Sequence, residues 1–347
     1  MHRAHIGLSM MLVLGGALAV HACKPDNDLA GEAPLADAVK LRVISYNVMD
    51  GFTRDDDSPD SERREAVTRW LATQRPDVVA FDELNFYTED RLRREAASWG
   101  HEYAILLKEK GYPTGLTSKT PITDVQRVTG KGFHHGFVRA RTAGIVFYVV
   151  HLAPFDRSVR LKEAAAILDG IPAEDDKSAI MGAKEFMKNG QPVLVIGDFN
   201  ALSPDDQEYY RNVRLFENMV ERGSKPKPRN LAEDGGFDYS VIGAFRAAAL
   251  VDVVRRQHKD PAEIFSFPTP MVDRKLTPEQ LSKVRRRIDY ALASPGLAEE
   301  CVRADVVNGK DMDKMSDHYP LLIDLRWSPP KGGEGEPLSP GDHKPLK

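Results

Sequence analysis

The stretch Pro192 to Ala201, PVLVIGDFNA, constrains this chain more than any other. Val193 to Ile196 are apolar and largely β-branched, and the run is too short for a helix, so it reads as a strand buried on both faces. Gly197 lets the backbone turn, and Asp198 and Asn200, two apart on an extended segment, can point to the same side. A carboxylate beside a carboxamide at a buried strand's mouth suits a divalent cation and a reacting phosphate. The first binds a metal or a proton while the second orients an oxygen. The plainer reading is a strand followed by an Asx turn, because Asp and Asn are common turn residues.

The same arrangement recurs along the chain. Leu41 to Tyr46 run into Asn47, Val78 to Phe81 run into Asp82 and Glu83, and Ile145 to Val150 run into His151. Arg287-Ile288-Asp289-Tyr290 opens another strand, and Ser316-Asp317-His318 immediately precedes Tyr319 to Leu325. Six such sites in one chain are more than turn chemistry explains. Strands following strands with only a few helices between them point to two packed mixed sheets, not to one doubly wound sheet.

Between these strands the pattern predicts a helix over Ser61 to Gln74 with Ser61 as N-cap, and another over Thr88 to Trp99. Tyr103 to Lys108 and Gly115 to Lys119 read as strands, and Val138 to Arg141 with Ile145 to His151 as an antiparallel pair. Further helices are expected from Arg157, around Ala179 to Met187, over Asp205 to Arg222, and through most of Phe237 to Gln257. Three charged segments have two readings each. Asp55, Asp56 and Asp57 are a calcium loop or a solvated one. Ser224 to Asn230, KPKPR between breakers, touches phosphate or lipid headgroups or is a flexible surface loop. Lys283, Arg285, Arg286 and Arg287 put positive charge beside Asp289, where a phosphate would profit, or form a solvated helix face.

The segments SYNV, DEL, TSKTPI, VHL, GDFN, RIDY and SDHYPL, in that order, resemble the endonuclease/exonuclease/phosphatase superfamily over residues 40 to 326. That resemblance implies a DNase I-like four-layer α/β sandwich, two packed mixed β-sheets flanked by helices, and a metal-dependent phosphoesterase. It implies Asn47 and Glu83 as metal ligands, with Asp317 for a second ion or a water bridge. Oxygen donors without cysteine favour Mg2+, or Mn2+, over Zn2+. By the same motifs Asp289 orients His318, which meets the scissile phosphate as general base or electrostatic partner, and Asp198 is the rival base. Asn200 positions the phosphate or nucleophile, and His151 donates a hydrogen bond to the transition state. Arg139 and Arg141 are candidate phosphate contacts. The chain departs from the family in carrying Asp82 where Gln often precedes the metal-binding Glu, and His134 and His135 fall near the cleft without an assigned role.

Composition is that of an ordinary globular chain: 347 residues, 41% hydrophobic, with a formal net charge of only -4. Proteins that hold long duplex DNA usually carry a basic face, so there is no global support for nucleic acid. Arg3 and the apolar run Ile6 to Val20 read as a secretory signal within residues 1–23, the run being short for a membrane span. Cys23, before the polar KPDND, resembles a bacterial lipoprotein acylation site. Residues 24–39 read as a tether, 40–327 as the folded domain and 328–347 as a disordered tail. Cys301 is the one other cysteine, so no disulfide framework is expected.

The expectation is therefore an exported, monomeric lipoprotein of the periplasm or cell envelope, anchored in the membrane, that hydrolyses a phosphodiester or phosphomonoester. The substrate is a nucleic acid, a phospholipid or a small organophosphate. A non-catalytic ligand- or partner-binding lipoprotein on the same scaffold is the alternative.

Overall fold

The computed structural model describes residues 41–53, 59–171, 179–221, 230–272 and 275–328. The expected signal with Cys23, the tether, Asp55 to Asp57, residues 224–229 of the basic loop and the tail from 329 on lie outside the described residues. Among the described residues no helix is long and apolar enough to cross a membrane.

The apolar runs form strands β1 (Leu41–Asn47), β2 (Val78–Asp82), β3 (Tyr103–Leu106) and β4 (Gly115–Ser118). The chain continues through β5 (Thr123–Val128), β6 (Phe137–Thr142), β7 (Ile145–His151), β8 (Gly170–Ile171), β9 (Ile180–Met181) and β10 (Val193–Asp198). It finishes with β11 (Val251–Asp252), β12 (Asp289–Ala293), β13 (Cys301–Val306) and β14 (Leu321–Leu325). Two six-stranded sheets result, ordered β13-β14-β1-β2-β4-β3 and β11-β12-β10-β7-β6-β5, while β8 and β9 pair alone.

Each large sheet has one parallel pair at its centre, β1 with β2 and β7 with β10, and antiparallel pairs outside it. The two sheets thus repeat one topology, although the sequence shows no repeat. A parallel pair delivers both strand C-termini to the same edge. Asn47 stands opposite Asp82, and Asp198 stands between His151 and Asp289.

Side-chain alternation builds the layers. In the second sheet Ile145, Phe147, Val149, Leu194, Ile196, Ala291 and Ala293 face the first sheet and join its core. Their neighbours Val146, Tyr148, Val150, Val193, Val195, Tyr290 and Leu292 pack outward on Ile167, Phe186, Val241 and Phe245 of the covering helices. Burying one such side chain contributes roughly 1.5–3 kcal/mol, and a one-residue slip would reverse every one of them, so the register is fixed. By the same parity Asp198, Asp289 and His151 end up on the inner face, at the mouth between the sheets.

Gly197 is held at φ 135°, and a Cβ there would lie 2.1 Å from the Val150 carbonyl and 2.9 Å from Asp82 Oδ2. Only glycine lets β10 come this close to the floor of the mouth.

Several boundaries differ from the sequence reading. Asp60, not Ser61, caps the helix Ser61–Gln74 through the Arg63 amide. Asp205 to Arg222 is not one helix: a short 3-10 turn precedes Gln207–Asn212 and Leu215–Glu221, broken where Arg214 takes φ 53°. Phe237 to Gln257 likewise splits into Ser240–Ala247 and Val253–Gln257, with Ala249 at φ 65° and β11 between them. The helix expected around Ala179 spans only Ala183–Lys188, because β9 comes first.

Candidate active site

The strand-end residues converge on one carboxylate oxygen. Asn47 Nδ2 donates to Asp198 Oδ2 at 3.3 Å and Asn200 Nδ2 at 3.2 Å, while His151 Nε2 and His318 Nε2 stand 3.7 and 3.8 Å from it. The Asx turn foreseen as the plainer reading is present as well, since the Asn200 amide donates to Asp198 Oδ1 at 2.8 Å. Asn200 also donates to the Leu152 carbonyl, which ties the end of β10 to the end of β7.

Glu83 enters from the first sheet with φ 60°. Its Oε1 accepts from Asn47 Nδ2 at 3.1 Å and lies 3.9 Å from His151 Nε2, and its Oε2 accepts from the Asp50 amide. Burial, aided by the negative Asp317 nearby, pushes its carboxyl up to about 7. Burial and the Asp289 carboxylate likewise raise Asp198 above the usual carboxylate range.

His318 is oriented by Asp289, whose Oδ2 is 2.9 Å from Nδ1. Burial alone would hold this imidazole neutral, but Asp289, Asp317 and Asp198 outweigh it and raise its pKa well above the ordinary value. The Ser266 hydroxyl accepts from the Ile288 and Asp289 amides, and the Ser316 hydroxyl donates to the Asn47 carbonyl. Arg63, buried under the mouth, donates to the carbonyls of Val48, Met49, Thr53 and Met315. It thereby locks the loops that carry Asn47 and Asp317 together. Nothing in the spacing of the sequence marks Arg63 for this.

Asp82 lies on the floor between the sheets, where Oδ2 accepts from the Asp198 amide at 2.9 Å and Oδ1 is buried without a hydrogen-bond partner. Burial and then the charge of Asp198 raise its pKa well above the carboxylate range. The extra acid therefore supports β10 from the floor. His135 stacks on His151 with ring centres 4.1 Å apart, and His134 meets His135 edge-on at 4.3 Å. The His134-His135 dipeptide was the only signal of this ladder in the sequence.

Asp198, Asp289 and His318 hold one ligand atom each within 4.8 Å of one another, a buried set able to bind a cation. Asn47, Glu83 and half-buried Asp317 adjoin it from the first sheet. Donors of this kind, mostly oxygens and crowded enough to raise the pKa of Glu83 and Asp198, fit a hard divalent ion.

Arg139 and Arg141 are not brought to this cluster. Both lie on the outer face of β6, with their guanidinium carbons 5.2 and 6.0 Å from the Phe186 ring centre, and Arg141 hydrogen-bonds Asp124 and Gln191. Their odd parity sends them away from the inner residues Val138 and Ala140. The basic cluster beside Asp289 is also divided. Arg287 is buried against Asp206 and Asp252, Arg285 covers Phe265, Lys283 pairs with Glu279, and Arg286 covers Phe267, which in turn touches His318.

Two stacked mixed sheets with acids, carboxamides and imidazoles at one shared edge define a hydrolase of phosphate esters. The model of the Endonuclease/Exonuclease/phosphatase family matches residues 44–318, and the chain belongs to that family. No curated protein matches it by sequence. Among solved structures it is similar to an AP endonuclease from Archaeoglobus fulgidus, at 18% identity and a TM-score of 0.56, covering 82% of this chain and 99% of that one. It is similar also to the 3'-5' exonuclease NExo from Neisseria meningitidis, at 16% identity and a TM-score of 0.56, covering 83% and 100%. An endonuclease/exonuclease/phosphatase from Beutenbergia cavernae is 18% identical with a TM-score of 0.51, over 83% of this chain and 72% of that one. At these identities the likeness concerns the fold.

Proposed function

We propose that this phosphoesterase is divalent-metal-dependent and cleaves a phosphodiester or phosphomonoester at the mouth between the sheets. The observation that carries the reading is the convergence of Asn47, Asn200, His151 and His318 on Asp198 Oδ2. Asn47 and Glu83, with Asp317 beside them, would hold Mg2+ or Mn2+. Such an ion supplies charge neutralisation for the phosphoryl oxygens.

The remaining work falls to the side chains. Water attacks phosphorus while the bond to the leaving oxygen breaks. Asp198, with its raised pKa, accepts the water proton, and Asn200 orients the group that Asp198 addresses. His318 keeps its Nδ1 proton on Asp289, so its Nε2–H points at the phosphate and stabilises charge that grows in the transition state. His151, whose pKa burial and then His135 hold well below the ordinary value, donates from Nε2 as a neutral ring.

Export through Ile6 to Val20 and acylation at Cys23 belong to the same proposal and rest on the sequence. Loss of the palmitate label and of membrane association in Cys23→Ser tests them. The enzymatic reading is tested with bis- and mono-p-nitrophenyl phosphate, plasmid DNA, RNA and sphingomyelin, each with Mg2+, Mn2+ or EDTA. Hydrolysis that persists undiminished in EDTA would overturn metal dependence. Absence of turnover on every ester would favour the non-catalytic alternative.

A further inference from the structure

The large hydrophobic side chains exposed among the described residues are Phe86 (63%), Tyr112 (41%), Phe155 (63%), Met181 (43%) and Val272 (42%). Four of these five sit on loops bonded to the active site. Phe86 follows Glu83 by three residues, on a turn whose Leu84 amide donates to Pro113, the neighbour of Tyr112. The Tyr112 ring packs edge-on against His135, and His135 stacks on His151. Phe155 lies four residues beyond His151 and touches His134. Val272 donates its amide to Thr269, which donates its own to the Asp317 carbonyl. Met181 alone is elsewhere, bonded through its carbonyl to Tyr148 on the helix-covered side.

Scattered exposed apolar residues are normal on a soluble domain, but a set gathered around one opening marks an interaction surface. These side chains come from different loops on both flanks of the mouth and mix phenyl, phenol and isopropyl groups. That spread suits an apolar phase met face-on better than a single flat ring. Exposed Lys110 shares the Tyr112 loop with Glu109, and exposed Lys131 stands on the neighbouring loop of His134 and His135, two positive charges able to meet anionic headgroups.

The position of the chain's beginning agrees with a membrane occupant. β1 enters at Leu41, roughly 20 Å along the strand from Asn47 at the mouth. Seventeen residues separate Cys23 from Leu41 (41 − 23 − 1), and such a length spans at most about 60 Å. That is ample for a chain anchored at Cys23 to turn its mouth toward the bilayer that holds it.

We propose that Phe86, Tyr112, Phe155 and Val272 form an interfacial rim that seats the active-site mouth on an anionic lipid surface, where the enzyme takes a phosphate ester from the headgroup layer. The inference deepens the phosphoesterase reading and rests on it for the choice of substrate. The rim itself can be tested independently.

In the full chain, Phe86→Trp and Phe155→Trp are each mixed with vesicles of phosphatidylglycerol and phosphatidylethanolamine whose acyl chains carry bromine. Quenching and a blue shift of the introduced tryptophan are expected, with none for Met181→Trp, because an anchor alone brings the chain near but does not insert the mouth. The double variant Phe86→Ser/Phe155→Ser should lose on the order of tenfold or more in hydrolysis of a vesicle-borne phosphoester, since apolar burial sets interfacial affinity. Its rate on soluble bis-p-nitrophenyl phosphate should stay within about twofold, as neither residue touches the acids. Unquenched rim tryptophans overturn the proposal. So does a double variant that loses DNA cleavage while keeping the vesicle rate, which would make the rim a platform for bases. If no ester is hydrolysed by the wild type, the phosphoesterase reading fails, while quenching still decides the rim.

Discussion

His318 Nδ1 stands 2.9 Å from Asp289 Oδ2, and both side chains are almost wholly buried. The pair joins two parts of the chain 29 residues apart and fixes the imidazole's tautomer, so that Nε2 faces Asp198 at 3.8 Å. A histidine in this role contributes on the order of 10²- to 10⁴-fold in rate. His318→Ala should lose that much in kcat, and Asp289→Asn somewhat less. Because one residue acts through the other, the double variant should be little slower than His318→Ala alone. Rates on a chromogenic phosphodiester at saturating Mn2+ decide it: fully multiplicative losses would show that the two act separately.

Glu83 accepts from Asn47 and the Asp50 amide and keeps a raised pKa, as expected of a carboxylate poised for a cation. A metal that binds only the folded state should stabilise it by about 2.7 kcal/mol at a hundred times its Kd. Mg2+ should therefore raise the Tm of the wild type, and EDTA should reverse the rise. In Glu83→Gln the rise should need at least tenfold more Mg2+, with the metal-free Tm no lower than that of the wild type. An unshifted Mg2+ titration would remove Glu83 from the metal site.

Much of the mouth was legible because buried strands announce themselves by apolar runs and end where a polar residue follows. Asn47, Glu83, His151, Asp198 and Asn200 read this way, Asp289 and His318 read as polar residues that open or precede a strand, and the structure gathers them. β5 and β13 escaped notice because TDVQRV and CVRADV are edge strands whose outer positions are charged. The helices expected over 205–222 and 237–257 failed at Arg214 and Ala249, left-handed positions that nothing in their residue types foretells. Parity along β6 was readable, and it would have sent Arg139 and Arg141 outward. Arg63 and the match between the two sheets needed the third dimension, since both depend on contacts between remote segments.

His101 offers a test of the core away from the site. Its Nε2 donates to the Pro76 carbonyl at 2.9 Å and its Nδ1 accepts from the Thr117 hydroxyl at 2.8 Å, so the neutral ring is fully bonded. Burial holds its pKa down to about 4, against an ordinary 6.5. Between those values the unfolded chain takes up a proton that the folded chain refuses, so stability falls as pH drops through that window and this group adds no further loss below it. The full effect is about 3 kcal/mol. Urea unfolding at pH 7 and pH 4.5 should show a smaller acid loss in His101→Gln than in the wild type, by about 2–3 kcal/mol. Equal losses would mean that His101 is not held neutral.

Arg287 makes the last prediction, because its cluster was read as positive charge near a phosphate or as a solvated helix face, and it proves to be a buried strut. Its Nε and Nη2 reach Asp206 Oδ2 at 3.0 and 2.9 Å, its Nη1 bonds Asp252, and its ring of partners is closed by Tyr210 and Tyr290. Two residues later the chain delivers Asp289, so the strut sets where β12 begins. Removing one partner of such a buried pair costs about 3–5 kcal/mol, since charge is left uncompensated, whereas removing the whole set can be nearly neutral. Arg287→Met should therefore lose about that much in urea unfolding, with Asp252 stranded and Asp206 left with Arg255 at 3.4 Å. The triple variant Arg287→Met/Asp206→Asn/Asp252→Asn should regain most of it. If Arg287 instead met substrate, Arg287→Met would raise KM for a phosphodiester at unchanged stability, and the carboxamide replacements would rescue nothing.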